Sequence, residues 1–216
     1  MKRLMITGAG GFVAGSVLVQ ARDRWETLAV TRTSRPALEK IASRVVVRDI
    51  TDRDLTRALL VEFRPYVVIH TAALADIDYC EGHPEEAFAV NTMATDTLAA
   101  CCAEHGARLV YCSTDTVFDG RHGLYTESDR PGPVNIYARS KAEAEARVSV
   151  LGAQSGVSQA QAQVEAARRR LQESRARAEL ADLMGRKVHL FLHVKVKEDW
   201  DEDRGVYRDM GLDWVE

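Results

Sequence analysis

The sequence predicts an α/β protein built on a Rossmann-like, doubly wound parallel sheet, and three observations carry that prediction. Short apolar runs without polar alternation recur along the first two thirds of the chain. Segments with apolar residues at helical spacing separate them. A glycine-rich turn follows the first run directly. Strands that read as unbroken Val, Ile and Leu are buried on both faces, which a parallel sheet achieves when crossover helices cover it.

The elements follow in order. "KRLMITGAGGFVAGSVLVQAR" gives a strand, a glycine turn and a helical run, and "ETLAVTR" repeats the strand signal. "SRVVVRDI" and "PYVVIHTAA" supply a third and a fourth strand after helical or loop segments. Next comes "PEEAFAVNTMATDTLAACCAEHG", apolar at helical spacing with a glycine to stop it. "ARLVYCSTD" makes the fifth strand, and "YARSKAEAEARV" reads as a helix. In sheets of this kind ligands bind beyond the carboxyl ends of the strands.

Composition narrows the function. A net charge of −3 gives no general pull toward nucleic acid or an anionic membrane. The sequence has no apolar run long enough for a transmembrane helix, and the apolar stretch in "MKRLMITGAGG" is too short for a signal peptide, so a cytoplasmic protein is expected. Cys80, Cys101, Cys102 and Cys112 lack C-x-x-C spacing. Reduced, mostly buried thiols are expected, with no zinc site and no disulfide framework.

Gly8 and Gly11 let backbone approach a pyrophosphate, and the helix beginning near Phe12 offers free N–H groups and the positive end of its dipole. The third small position is Ala14, with Gly15 next. Any tight strand-to-helix turn could produce the pattern; its place after the first strand favours a dinucleotide. After the second strand the chain reads "VTRTSR", with Thr31, Arg32 and Arg35 where NADH binding would favour an acidic residue. A guanidinium pairs bidentately with a 2′-phosphate, so NADP(H) is favoured over NAD(H), a solvated surface arginine being the alternative. Tyr137 and Lys141 stand four apart on one helix face. A nearby ammonium is expected to lower the phenol pKa and make it a better proton donor. Thr114, ending the fifth strand, can hydrogen-bond the same substrate oxygen.

Together "TGAGGFVAG", "HTAALADIDYCEGHPEEAFAVN", "STDTVFDG" and "YARSKAEAE" resemble extended short-chain dehydrogenase/reductases, above all the dTDP-4-dehydrorhamnose reductases and related sugar-nucleotide-modifying proteins. The resemblance covers about residues 1–147. It implies hydride transfer from a nicotinamide to a nucleotide-sugar ketone, with Tyr137 as proton donor, Lys141 holding the nicotinamide ribose, and Thr114 orienting the carbonyl. It also implies cofactor contacts at Gly8, Gly11, Phe12, Val13, Asp49, Ile50, Ala72 and Ala73. Asn91 matches an asparagine that supports the lysine in many relatives; a polar residue packing a helix is the alternative. Proteins of this group continue into another strand and a smaller substrate domain, neither of which is recognisable here, so the fold is expected to be truncated after the Tyr/Lys helix and activity impaired.

The last third has a different character. "SVLGAQSG" (149–156) reads as a junction ending a Rossmann domain over 1–148, followed by a helical connector over 149–174. Val157, Val164, Leu171 and Ala178 recur every seven residues with Ala160 and Ala167 between them, a narrow coiled-coil-like seam; a solvent-washed connecting helix is the alternative. Its composition resembles the helices of periplasmic efflux adaptors. "RRR" at 168–170, flanked by Glu165 and Glu173, reads as a solvated face. "GRKVHLFLHVKVKEDW" alternates as a half-buried strand whose other face carries His189, His193, Lys195 and Lys197, with no third metal ligand at useful spacing.

Residues 175–216 resemble the C-terminal end of Era-type GTPases, which closes a type II KH domain and implies ribosomal RNA binding. The G-x-x-G clamp of that domain should lie about a helix before Gly185, where the chain instead reads "VEAA", and the GTPase P-loop is absent. Two resemblances in one chain imply a mosaic: a reductase fragment joined to a long helix and a short KH-like strand/helix tail. A strand over 188–196 is expected to pair beside "ARLVYCS" or with a second copy of the chain, as a homodimer. Two functions therefore compete: an NADP(H)-dependent reductase of a nucleotide-sugar ketone, and an RNA-binding or scaffold protein without catalysis. The intact cofactor motifs favour the first.

Overall fold

A computed structural model describes residues 1–126 and 128–183, apart from the side chains of 153–160, 162, 171 and 174–183. Its centre is a five-stranded, all-parallel sheet formed by β1 (Lys2–Thr7), β2 (Trp25–Thr31), β3 (Arg44–Val47), β4 (Val67–His70) and β5 (Arg108–Tyr111), in the order β3-β2-β1-β4-β5. The order reverses between β1 and β4, so the chain leaves these two neighbours in opposite directions and opens a crevice beyond their carboxyl ends. Thr7 lies opposite His70 at that point.

Alternation along the strands divides the core between two faces. Leu4, Ile6 and Ala29 point to the face covered by α1 (Phe12–Ala21), against Ala14, Leu18 and Ala21. Met5, Leu28, Val30 and Val68 point to the other, against Leu59, Leu60 and Phe63 of α2 (Arg53–Phe63) and Leu98, Cys101 and Cys102 further on. Each large side chain removed from water contributes about 1.5–3 kcal/mol, which is why these apolar runs form strands here despite their shortness. Asp52 accepts a hydrogen bond from Leu55 N at 3.0 Å and starts α2. Thr27 and Ser43 exchange backbone-to-hydroxyl hydrogen bonds of 3.0 and 2.9 Å, which fix where β3 enters the sheet.

After β4 come two short helices, α3 (Ile77–Gly82) and α4 (Pro84–Phe88), then a π-helical turn at Ala89–Met93, then α5 (Ala94–His105). The expected glycine stop is Gly106, at φ 68° in the left-handed region. The four cysteines are free thiols; Cys80, Cys101 and Cys102 are buried and Cys112 half-buried. Among the described residues no helix is long and apolar enough to cross a membrane.

α6 (Ile136–Leu183) corrects the expected break. The Tyr/Lys helix does not end at "SVLGAQSG": it runs through Gly152 and Gly156. A glycine costs a helix only about 1 kcal/mol relative to alanine, so neighbouring Ala, Gln, Arg and Glu carry the helix across. Met1–Ala162 forms one compact unit. Within the seam, Val164 is 52% exposed and Ala167 is exposed, as are Arg168, Arg169 and Arg170. The KH-like strand at 188–196, His189, His193 and the pairing beside β5 lie outside the described residues.

Candidate functional site

The crevice at the sheet reversal is a cleft of about 340 Å³. Its floor is the turn after β1. Gly8 has φ 69°, and a Cβ there would lie 2.6 Å from Ala72 N and 2.7 Å from Ala72 Cα, so only glycine lets the two strand ends approach this closely. Gly11 N donates to Gly8 O at 2.9 Å and Ala9 N to Val30 O at 3.0 Å, closing the turn. Gly11 is the N-cap of α1 and no side chain caps that end. The first amides of a helix have no partner within it, which suits that end of α1 to an anion.

Of the residues expected to hold a cofactor, Gly8, Gly11, Arg32, Asp49, Ile50, Ala72 and Ala73 line this cleft. Phe12 and Val13 do not line it. Phe12 is 91% exposed and borders a separate shallow groove, and Val13 is 52% exposed. The Asp49 carboxylate accepts from Thr51 N at 2.9 Å and Thr51 Oγ1 at 2.7 Å, which holds its pKa below the ordinary carboxylate value. Asp49 therefore shapes the turn after β3. Arg48, Thr33, Leu74 and Val90, which no motif in the sequence singles out, also line the cleft wall. Arg48 had a usable signal, since "VVVRD" puts it beside Asp49 at the same strand end. Arg35 packs over Gly10, where a Cβ would lie 3.2 Å from its Nε. Three guanidinium groups thus rim one end of the cleft.

Thr114, Tyr137 and Lys141 belong to the neighbouring carboxyl end of β5 and the start of α6. Thr114 Oγ1 accepts from Thr116 N at 3.2 Å and sets the 3-10 turn Asp115–Val117. The start of α6 is held from two sides: Asn135 Oδ1 accepts from Ala138 N at 2.8 Å, and Glu81 of α3 accepts from Ile136 N at 2.6 Å. Lys141 is 3% exposed; its Nζ donates to Cys112 O at 2.6 Å and lies 4.2 Å from the centre of the Tyr111 ring. Burial lowers its pKa to about 8.

This geometry corrects one expectation. The Tyr137 phenol is raised above its ordinary value, chiefly by burial, with the Thr114 hydroxyl opposing the rise and Cys80 and Asp115 adding to it. The Lys141 ammonium is turned to Cys112 O and the Tyr111 face, so it does not favour the phenolate. Tyr137 is accordingly protonated at neutral pH, the form that can donate. Asn91 fits the second of its two readings, a polar residue packing a helix: in the π-helical turn it accepts from Leu74 N at 2.8 Å and donates to Leu74 O at 3.0 Å and Ser140 Oγ at 2.9 Å. It grips the cleft wall and the residue before Lys141, and these hydrogen bonds do not include Lys141 itself.

Several known proteins are similar to this chain in sequence or fold. The RmlD substrate binding domain family matches residues 1–159. Methionine adenosyltransferase 2 subunit beta of Bos taurus is 34% identical over 149 residues, covering 68% of this chain and 42% of that protein. The dTDP-4-dehydrorhamnose reductase of Aggregatibacter actinomycetemcomitans is 34% identical over 148 residues, covering 67% of this chain and 46% of that protein. The chain thus spans less than half the length of these curated relatives. A crystal structure of a hypothetical dTDP-4-dehydrorhamnose reductase from Sulfolobus tokodaii superposes with a TM-score of 0.63 at 32% identity, over 67% of this chain and 51% of that one. The dTDP-4-dehydrorhamnose reductase of Bacillus anthracis str. Ames, solved in complex with NADP, gives 0.60 at 30% identity, over 70% and 50%.

Proposed function

The chain belongs to the RmlD substrate binding domain family, and on that footing we propose that it is the cofactor-binding part of an NADP(H)-dependent reductase acting on a nucleotide-sugar ketone. The observation that carries the reading is the Gly8 cradle: a left-handed glycine 2.6 Å from neighbouring backbone at its missing Cβ, beside the uncapped start of α1. Such a cradle fits a pyrophosphate. The residues present fit the rest of a dinucleotide: Arg32, Arg35 and Arg48 rim the end suited to a ribose phosphate, and Ile50 and Ala72 offer apolar contact.

A bound nicotinamide supplies a hydride to the carbonyl carbon. The matching proton comes from Tyr137 Oη, which burial keeps protonated. Thr114 Oγ1 hydrogen-bonds the carbonyl oxygen and orients it. Lys141 has three N–H donors, of which Cys112 O takes one, and it is the residue that would hold the ribose hydroxyls of a bound nicotinamide nucleotide. NADP(H) is preferred over NAD(H) because a phosphate monoester among three guanidinium groups gains charge-assisted hydrogen bonds that a bare hydroxyl does not.

The reading is tested by titrating the full chain with NADPH and following nicotinamide fluorescence, then assaying reduction of a dTDP-4-keto sugar. Binding in the wild type is expected to be abolished by Gly11→Asp, whose carboxylate occupies the anion position. Tyr137→Phe is expected to keep NADPH binding within about twofold and to lower turnover about 100-fold or more. A folded wild-type chain that ignores millimolar NADPH and NADH defeats the proposal. The relatives named as a methionine adenosyltransferase subunit favour a second reading, a nucleotide-binding subunit that works within a larger assembly. In that case NADPH binds and no keto sugar is turned over.

A further inference from the structure

We propose that His70 is a positioning residue: held as the Nε2–H tautomer, it joins the glycine turn after β1 to the Tyr137/Lys141 face of α6 through a one-way chain of buried hydrogen bonds. Its bearing on cofactor binding rests on the reading above; the chain itself does not.

The links are explicit. Thr7 Oγ1 and His70 Nδ1 are 2.5 Å apart, and His70 Nε2 and Thr95 Oγ1 are 2.9 Å apart. Neither distance alone says which ring nitrogen holds the proton. The hydroxyl of Thr95 decides it, because its one proton is committed to Asn91 O at 2.6 Å. Thr95 Oγ1 can therefore only accept from the ring, so Nε2 carries hydrogen. Nδ1 of a neutral ring then offers a lone pair, and Thr7 donates to it. Beyond Asn91, its Nδ2 donates to Ser140 Oγ at 2.9 Å and Ser140 Oγ donates to Tyr137 O at 2.7 Å. Every donor points the same way, from β1 to the first turn of α6. Bonds so aligned polarise one another and resist being broken singly.

The chain runs through the interior from Thr7 to Ser140, and its last link, to Tyr137 O, is part-buried. Thr7, His70, Thr95 and Ser140 are 0% exposed and Asn91 is 1% exposed. Water cannot replace a missing link there, so each must be satisfied from within. The ring also has to stay uncharged, since an imidazolium would protonate Nδ1 against the donating Thr7. Burial first, and the Lys141 ammonium second, hold the His70 pKa at about 3.

The full chain is suited to a direct test. Long-range 15N–1H spectra of the imidazole are expected to show protonated Nε2 and bare Nδ1, unchanged from pH 8 to 5. Thr95→Val cuts the chain far from the glycine turn. It is expected to raise amide exchange at Ala9 and Gly11 about three- to tenfold, the scale of one net hydrogen bond. His70→Asn keeps an acceptor facing Thr7 but cannot reach Thr95, so it is expected to match Thr95→Val, and the double variant to exceed neither. Thr95→Ser retains the hydroxyl and restores protection, which a purely packing role for the methyl would not allow. NADPH Kd is expected to rise in Thr95→Val by the same factor. An Nδ1–H ring, an imidazolium at pH 6, or unchanged Ala9 and Gly11 exchange in folded Thr95→Val overturns the proposal. A wild type with the expected spectrum and exchange that fails to bind NADPH overturns the cofactor reading instead.

Discussion

Replacing Gly8 by alanine probes the closest approach in the cleft, and the molecule contains its own control. Gly8 and Gly106 have almost the same φ, 69° and 68°. A side chain in that region costs about 1–2 kcal/mol, equally at both sites. What differs is what the new methyl meets. At Gly8 it would lie 2.6 Å from Ala72 N, 2.7 Å from Ala72 Cα and 2.8 Å from Thr71 C, whereas at Gly106 nothing lies within 4 Å. All three neighbours at Gly8 are backbone, so relief requires the end of β4 to move away from β1. Forced overpacking of this kind costs about 1–3 kcal/mol. Any stiffening of the unfolded chain by alanine is common to both variants and cancels in the difference. Gly106→Ala is thus expected to destabilise by about 1 kcal/mol and Gly8→Ala by a further ~1–3 kcal/mol. Equilibrium urea unfolding of the two variants beside the wild type measures the gap. Equal midpoints with equal slopes would refute the steric argument and, with it, the claim that backbone proximity defines the cleft floor.

Other expectations follow from charge and hydrogen bonding. Lys141 is depressed by burial to about 8 from 10.5, so between these values the unfolded chain binds more protons and stability rises with pH; Lys141→Met is expected to remove that rise and to raise the urea midpoint at pH 7. His70 is depressed to about 3 from 6.5, so its contribution is present above pH 6.5 and is lost as pH falls toward 3. His70→Asn should flatten the stability slope between pH 6.5 and 5, and a slope identical to wild type would count against a neutral buried ring. Arg32→Ala is expected to weaken NADPH about 10-fold or more while leaving NADH within about twofold, read by parallel fluorescence titrations.

The frame was readable because its signals are local. Five apolar runs, the Gly8–Gly11 turn and the Gly106 stop each sit within a few residues of the structure they specify, and all three appear where the pattern places them. What the sequence hid is long-range or subtle. The π-helical turn at Ala89–Met93 adds one residue to a turn without disturbing apolar spacing, so the segment reads as plain helix while Asn91 is re-aimed. Tyr137 and Lys141 do share a helix face, yet the ammonium answers to Cys112 O, 29 residues away, and so the expected lowering of the phenol fails. His70 reads as the last residue of an apolar strand; its partners are 63 and 25 residues distant. Gly152 and Gly156 read as punctuation, but their neighbours outvote them.

The bond from Ile136 N to Glu81 has a consequence for how such a chain can vary. Glu81 lies in a six-residue helix, while Ile136 immediately precedes the phenol-bearing residue. The little helix and the start of α6 are therefore pinned together by a carboxylate. Drift in the sequence Ile77–Gly82 registers at the Tyr137 backbone as well as at its phenol, whose pKa Cys80 of the same segment helps to raise.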